Sequence, residues 1–333
     1  AVSRHGCTPA YPSLAELEFF LSRGVVRPDL RNDAELEQIH WSTNRRSLHG
    51  GDGSEARIFA FDHRVQLEEM AGYTPKKGGA FKELCLDAAL KVQAGREGYG
   101  ILCDNRIGRA ALHRASGTGL WIGRPAEWPG SRPLELEPEL GPDCGTLVEW
   151  ARENVIKVLC FCHPDDDAET RARQEATVHR LFTAGRRNGL EFLLEVIPSK
   201  VGPVDDTTTA TLIRQFYAAG VYPDWWKLEP MTTPAAWANA IAAIEAHDAH
   251  TRGIVVLGLD APEAELAASF GVAARHPLVK GFAVGRTIFG DVARAWLKGE
   301  TGDAAAVEEM ARRYARLCEI WDEARARARE AAE

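Results

Sequence analysis

Lys227 stands in Asp224-Trp225-Trp226-Lys227-Leu228-Glu229-Pro230, an ammonium in the middle of a short apolar stretch. Taking such a charge out of water is costly unless it is paired or neutralised. Two kinds of chemistry answer that cost. Burial can lower the lysine pKa and leave an amine able to attack a carbonyl and form a Schiff base. Alternatively, an ion pair with Glu229 or another buried acid keeps the charge. The residue alone leaves both open.

Side chains alternate between the two faces of a strand, so alternation decides which other polar groups can meet Lys227. Trp225, Lys227 and Glu229 share a face, as do Leu193, Glu195 and Ile197. So do Lys157, Leu159, Phe161 and His163, and so do Ile58, Ala60, Asp62 and Arg64. If those faces point inward together, Asp62, Lys157, Glu195 and Lys227 converge. One such residue is ordinarily a satisfied internal ion pair, but two acids with two amines form the kind of cluster found where chemistry is done. Lys157 is then expected to favour the neutral form of Lys227 by like-charge repulsion.

A second signal lies in Val256-Leu257-Gly258-Leu259-Asp260 and Ala283-Val284-Gly285-Arg286-Thr287. Gly258 and Gly285 would let backbone amides approach an anion, and Arg286 could pair with it bidentately. The competing reading is a tight turn at Gly285 and an Arg286–Asp291 ion pair. His63 and Arg64 end the first strand, where they either meet an anionic substrate or form a surface turn. Cys160-Phe161-Cys162-His163, with Asp165 beyond, has metal-ligand residue types. The two cysteines share a face that excludes His163, so they read as small apolar residues beneath helices. No Ser-His-Asp arrangement and no nucleotide-type glycine loop stands out.

The elements that must position these residues alternate along the chain. Strand patterns fall at Ile58–Asp62, Gly100–Cys103, Gly119–Ile122, Ile156–Cys162, Phe192–Ile197, Trp225–Glu229, Ile254–Gly258 and Gly281–Val284. Between them lie helical patterns such as Ala168–Arg187, Thr207–Ala219, Pro234–Ala249 and Pro262–Ala274, several opening on Asp, Thr or Pro. Eight strand-helix units over about 240 residues predict an α/β fold of the (β/α)8 TIM-barrel type rather than an open doubly wound sheet. An N-terminal extension, 1–50, precedes the barrel at 51–330; it carries a helix over Ser13–Ser22 and then a polar segment. Asp303–Arg325 reads as one long helix burying Met310, Tyr314, Leu317 and Trp321. The Pro- and Gly-rich stretch Gly123–Gly145 follows the third strand at the barrel mouth, as a lid or a plain surface excursion.

The 333 residues, 45% of them hydrophobic, suffice for one large barrel. A net charge of -8 gives no electrostatic reason to expect nucleic acid. No apolar run approaches a membrane span and no signal-peptide pattern opens the chain. Seven cysteines without short paired spacings suit reduced thiols, so the chain reads as soluble and cytoplasmic, and a homo-oligomer is compatible with it. It starts abruptly at Ala1-Val2-Ser3, as a piece of a longer polypeptide would.

Phe59-Ala60-Phe61-Asp62-His63-Arg64, Lys157, Phe192-Leu193-Leu194-Glu195, Trp226-Lys227-Leu228-Glu229 and Gly285-Arg286-Thr287 together resemble the class I, Schiff-base aldolases of the tagatose-bisphosphate and sulfofructose-phosphate type. Lys157–Pro164, Tyr222–Pro230 and Gly281–Gly290 are closer still to the aldolase domain fused behind 5-dehydro-2-deoxygluconokinase in bacterial inositol catabolism. Ser3–Ala10 is similar to the closing segment of that sugar kinase, which would make residues 1–50 a kinase remnant with its linker. The resemblance implies a lyase that cleaves 2-deoxy-5-keto-D-gluconate 6-phosphate to dihydroxyacetone phosphate and malonate semialdehyde, with neither cofactor nor metal. It places the Schiff-base lysine at Lys227, the acid/base glutamate at Glu195, the aspartate at Asp62, the auxiliary lysine at Lys157 and the phosphate-binding arginine at Arg286. Either Asp62 or Glu195 would be the base for carbon-carbon cleavage. His63 stands where the tagatose-type enzymes commonly have Gln, so His63, Arg64 and Arg106 are all candidates for the substrate carboxylate. A metal-dependent class II aldolase and a non-catalytic sugar-phosphate-binding barrel attached to a kinase are the alternatives.

Overall fold

The computed structural model describes residues 14–22, 34–44 and 55–331. The chain divides between residues 46 and 47 into two units. In the first, α1 (Leu14–Ser22) and α2 (Ala34–Asn44) bring Phe19, Leu36 and Ile39 together, and His40 Nδ1 lies 2.6 Å from Glu16 Oε1. The helix α2 falls where the sequence suggests only a polar segment: two apolar contacts onto α1 are too few to give a readable helical stripe. Ser3–Ala10, the kinase-like segment, lies outside the described residues.

The second unit is a closed barrel of eight parallel strands in sequence order. They are β1 (Ala56–Ala60), β2 (Tyr99–Leu102), β3 (Trp121–Pro125), β4 (Asn154–Cys160), β5 (Phe192–Val196), β6 (Trp225–Leu228), β7 (Gly253–Leu257) and β8 (Val279–Val284). Around them run α3 (Val65–Glu68), α4 (Pro75–Gln93), α5 (Arg109–Ala115), α6 (Ala168–Arg187), α7 (Thr208–Ala218), α8 (Pro234–Glu245), α9 (Glu263–Ala273), α10 (Arg286–Leu297) and α11 (Asp303–Glu330). Side-chain caps start several of them. Thr74 accepts from Lys77 N, Asp167 from Thr170 N and Thr233 from Ala236 N, with Pro75 and Pro234 in the first turn.

Alternation along the strands sorts the core into two parts. Phe59, Ile101, Ile122, Val158, Leu194, Trp226, Val256 and Phe282 face the helices in one large cluster. Inside the barrel, Ile58, Leu102, Trp121, Val155, Leu193, Trp225, Val255 and Ala283 form a separate apolar plug. Two indoles need room there, and Trp121 and Trp225 meet edge to face at 6.0 Å. Gly123 provides it, since a Cβ at that position would lie 2.2 Å from Leu102 Cδ2 and 2.7 Å from the Trp121 ring. The plug closes the barrel from below and leaves the carboxyl ends of the strands open above it.

Most of the expected strands end a residue or two late. Asp62, Cys162, Ile197, Glu229 and Gly258 lie just past the last ladder residue of their strands, although their side chains continue the alternation. α10 and α11 share the last place in the helical ring. Phe289 of α10 packs on His63 at 5.3 Å, while the Tyr314 hydroxyl of α11 donates to Arg57 O at 2.7 Å. The stripe Met310, Tyr314, Leu317 and Trp321 is fully buried, and the helix continues past Arg325, whose guanidinium donates to the carbonyls of Ala274, His276 and Val279. Among the described residues no helix is long and apolar enough to cross a membrane.

Candidate active site

A cavity of about 230 Å³ opens at the carboxyl ends of the strands. Its floor holds the four ionisable residues that alternation brings together. Register sets Glu195 beside Lys227 on neighbouring strands, and Lys227 Nζ lies 2.8 Å from Glu195 Oε1. Lys157 Nζ lies 3.0 Å from Glu195 Oε2 and 3.2 Å from Asp62 Oδ2. All four side chains are buried. The ion partner of Lys227 is therefore Glu195. Glu229 does not reach it: its carboxylate accepts the Ser199 amide at 3.0 Å and the Ser199 hydroxyl. Glu229 sits past the end of β6 and turns to the loop after β5, so sharing a strand face with Lys227 is not enough to pair them.

The structure adds a fifth member, Glu127. Its Oε1 accepts from Lys157 Nζ at 3.0 Å, and its Oε2 accepts from the backbone of Leu159 at 3.1 Å. It comes from the Gly123–Gly145 excursion, which folds on itself through a Glu127–Leu136 bridge and buries Leu134 and Leu140. Counting inward positions from Trp121 through Gly123 and Pro125 lands on Glu127, so alternation in β3 could have found it.

These contacts govern protonation. Burial alone would raise the Asp62 carboxyl, but Lys157 and Lys227 overcome it and hold Asp62 well below the usual carboxylate range. Burial and the same two ammoniums act on Glu195 in the same way, leaving it below its ordinary value despite Asp62 nearby. For Lys157, burial favours the neutral amine, and Asp62, Glu127 and Glu195 together reverse it, so the ammonium is held more firmly than usual. The floor carries ionised acids, and Glu195 Oε2, in ion-pair contact with Lys157 Nζ, makes no well-aligned hydrogen bond among the described residues. An ionised carboxylate whose other oxygen touches Lys227 is placed as a proton acceptor for that amine.

Around the rim, Arg286 is half-buried at the start of α10, with its Nη1 3.2 Å from Asp260 Oδ2. Asp291, the alternative partner, instead meets Arg294 and Arg313. Leu259 and Asp260 both take positive φ, 47° and 66°, which turns the Asp260 carboxylate toward Arg286. Gly258 and Gly285 line the cavity. Packing explains the glycines: a Cβ at Gly285 would lie 2.1 Å from Ala60 O, and one at Gly258 would lie 3.0 Å from Val284 Cγ1. At the start of α10 the Ile288 and Phe289 amides donate to Gly285 O, and those of Arg286 and Thr287 have no backbone acceptor among the described residues, which makes this helix start beside Arg286 suited to an anion.

The three carboxylate candidates fare differently. Arg64 is 4% exposed and committed: it donates to Glu127 Oε1 at 2.7 Å, to Glu127 O at 3.0 Å and to Glu137 Oε1 at 2.8 Å. Two carboxylates hold its two terminal nitrogens, so it anchors the excursion, while its buried Nε, at the cavity lining, makes no hydrogen bond among the described residues. Arg106 pairs with Glu68 at 3.2 Å and lies over the Trp128 ring, and it does not line the cavity. His63 does line it, with Nδ1 3.9 Å from Asp62 Oδ1 and no hydrogen bond to that nitrogen among the described residues. Burial, opposed by Asp62 and reinforced by Arg286 and Lys227, lowers its pKa to about 4, so it is neutral at pH 7. Lys200, which lies past β5 where no strand pattern singles it out, also lines the cavity.

Cys160 and Cys162 lie in the layer between strands and helices, and His163 Nε2 is turned to Pro203 O at 2.8 Å. Among the described residues no group of three or more His, Cys, Asp or Glu side chains is placed to hold a metal ion.

Over residues 16–325 the sequence matches the family described as "Uncharacterized protein conserved in bacteria (DUF2090)". The chain belongs to the DUF2090 family. The match spans the floor, the rim and both units of this DUF2090 chain. No curated protein matches it. Among solved structures it is similar to the crystal structure of Cgl0159 from Corynebacterium glutamicum (Brevibacterium flavum), at 19% identity and a TM-score of 0.51, over 92% of this chain and 99% of that one. At that identity the likeness speaks to the fold.

Two expectations follow. Arg64→Met strands two carboxylates and should cost about 3–5 kcal/mol in urea unfolding, whereas Arg106→Met, at an exposed pair, should stay within about 1 kcal/mol. Equal effects would contradict the division of labour. Because His63 resists protonation until about pH 4 when folded and titrates near 6.5 when unfolded, the unfolded chain binds more protons between those values. Stability should therefore fall as pH drops through that window, with a slope on the order of 1 kcal/mol per pH unit from this residue. His63→Gln should show a flatter slope from pH 6.5 to 4, and an unchanged slope would disprove the buried neutral imidazole.

Proposed function

We propose that this barrel is a class I aldolase that cleaves 2-deoxy-5-keto-D-gluconate 6-phosphate to dihydroxyacetone phosphate and malonate semialdehyde through a Schiff base on Lys227. The observation that carries the reading is the 2.8 Å contact between Lys227 and Glu195 on the floor of an open cavity, with a second buried lysine bridging Glu195 to Asp62. A lone buried lysine needs one acid. Three carboxylates and two lysines arranged around a cavity support catalysis, because ionised acids stand beside an amine where a substrate can reach both.

Glu195 takes a proton from Lys227, and the freed amine adds to the C5 ketone. Glu195 returns the proton to the departing hydroxyl, which leaves as water and gives the iminium. Asp62, held ionised by Lys157, accepts the proton of the C3 hydroxyl; the C3–C4 bond then breaks and its electrons pass into the iminium. Malonate semialdehyde leaves. The enamine is protonated at C4, and hydrolysis of the iminium frees dihydroxyacetone phosphate and Lys227. Arg286 and the start of α10 suit the phosphate, fixing the ketone over the amine. The assignment gives Glu195 the nitrogen chemistry because it touches Lys227, and gives Asp62 the hydroxyl because it does not.

The resemblance of Ser3–Ala10 to the end of a sugar kinase supports placing this activity in a bifunctional kinase/aldolase polypeptide, where a neighbouring kinase would supply the phosphorylated substrate.

Borohydride reduction with dihydroxyacetone phosphate should add the reduced adduct mass to Lys227, and Lys227→Met should show neither adduct nor cleavage. Asp62→Asn should still form the adduct while kcat falls about 10²–10⁴-fold. No adduct on the native chain, or an active Lys227→Met variant, would refute the mechanism; an Asp62→Asn variant with full kcat would move the cleavage base to Glu195.

A further inference from the structure

The turn after β5 is pinned from both sides. On one side the Ser199 amide and hydroxyl both donate to the buried carboxylate of Glu229, at the end of β6. On the other, His163, buried at the end of β4, uses Nδ1 to accept the Asp165 amide at 3.2 Å, which leaves Nε2 to donate to Pro203 O at 2.8 Å. The imidazole also lies against Gly202, where an added Cβ would come within 3.2 Å of the ring. Two buried polar residues from two strands thus fix the six-residue segment 198–203. Between the pins stands Lys200, which lines the cavity. Among the described residues its ammonium stands in no ion pair, whereas Lys157 and Lys227 are paired on the floor, Arg64 holds Glu127 and Glu137, and Arg286 faces Asp260.

Its place in the ring matters. β5, whose following turn carries Lys200, stands three strands from β8, which leads into Arg286, with Lys227 on β6 between them. A ligand whose phosphate lies on Arg286 and the start of α10 and whose middle reaches Lys227 crosses the cavity from the β8 side to the β6 side, and the turn that carries Lys200 lines the same cavity beside β6. We propose that Lys200 is a second anion subsite, which binds the charged group at the end of the substrate remote from the phosphate and makes the barrel select ketoses anionic at both ends. The assignment deepens the aldolase reading and rests on it for which end of the substrate goes where. A carboxylate and a second phosphate share the chemistry that Lys200 recognises.

Equilibrium binding tests this without turnover. Glycerol 3-phosphate carries one anionic end, and 6-phosphogluconate carries two. The native chain should prefer 6-phosphogluconate; Lys200→Met should weaken it about tenfold while changing glycerol 3-phosphate less than twofold, and Lys200→Arg should restore it. Fructose 1,6-bisphosphate in the same series separates the sources: a Lys200-dependent gain for 6-phosphogluconate alone identifies a carboxylate subsite, and a gain for both identifies a general anion subsite. No native preference for 6-phosphogluconate, or an equal loss for both single- and double-ended probes in Lys200→Met, would overturn the proposal. Failure of the aldolase reading appears separately, as a native chain without a Lys227 adduct. Lys200 is exposed, so its variants are expected to fold.

Discussion

A buried ammonium at Lys157 is the interaction on which the site depends. It touches Asp62, Glu127 and Glu195, which come from the end of β1, the excursion after β3, and β5. Without it, three carboxylates would face one another in a buried pocket, and like charges so placed do not all ionise. With it, Asp62 and Glu195 are held as bases, and Glu195 is presented to Lys227. An ion cluster of this kind is an expensive way to stabilise a fold, since well-packed apolar side chains often serve as well or better. Its position directly above an apolar plug, at the open end of the barrel, is where such an expense has a chemical use.

The fold delivers that geometry by simple means. Parallel strands of matched register carry Glu195 and Lys227 side by side, and the Trp121–Trp225 plug fills the barrel beneath them. Arg64 performs the less obvious task of tying the excursion down. By taking both Glu127 and Glu137 it turns a Pro- and Gly-rich stretch into a fixed wall that supplies a carboxylate. The turn after β5 is held in the same manner by Glu229 and His163. Ionisable residues just beyond the strand ends thus divide into those that face the cavity and those that brace the loops around it.

That division marks how much the sequence could reveal. The eight strands and the meeting of Asp62, Lys157, Glu195 and Lys227 were legible because both follow from a period of two and a repeated strand-helix unit. The roles of Glu229, Arg64 and Arg106 were not. Beyond the last ladder hydrogen bond the side chain still alternates, but the loop chosen as its partner belongs to another part of the chain, and no local pattern encodes that choice. Glu127 was legible in principle, three inward steps from Trp121, but was hidden by a Pro-rich context that reads as loop. α2 was missed because its few apolar contacts leave no periodic signal.

Membership of the DUF2090 family groups this chain with others over the whole span of the site, and the wider structural likeness reaches the barrel fold. The chemistry rests on the floor of the cavity. A crystal structure of the chain soaked with dihydroxyacetone phosphate tests it most directly. The account expects continuous density from Lys227 Nζ to the C2 carbon, Glu195 within hydrogen-bonding distance of that nitrogen, and the phosphate on Arg286 and the first turn of α10. A ligand bound with no covalent link to Lys227, or with its phosphate on Lys157 or away from Arg286, would contradict it.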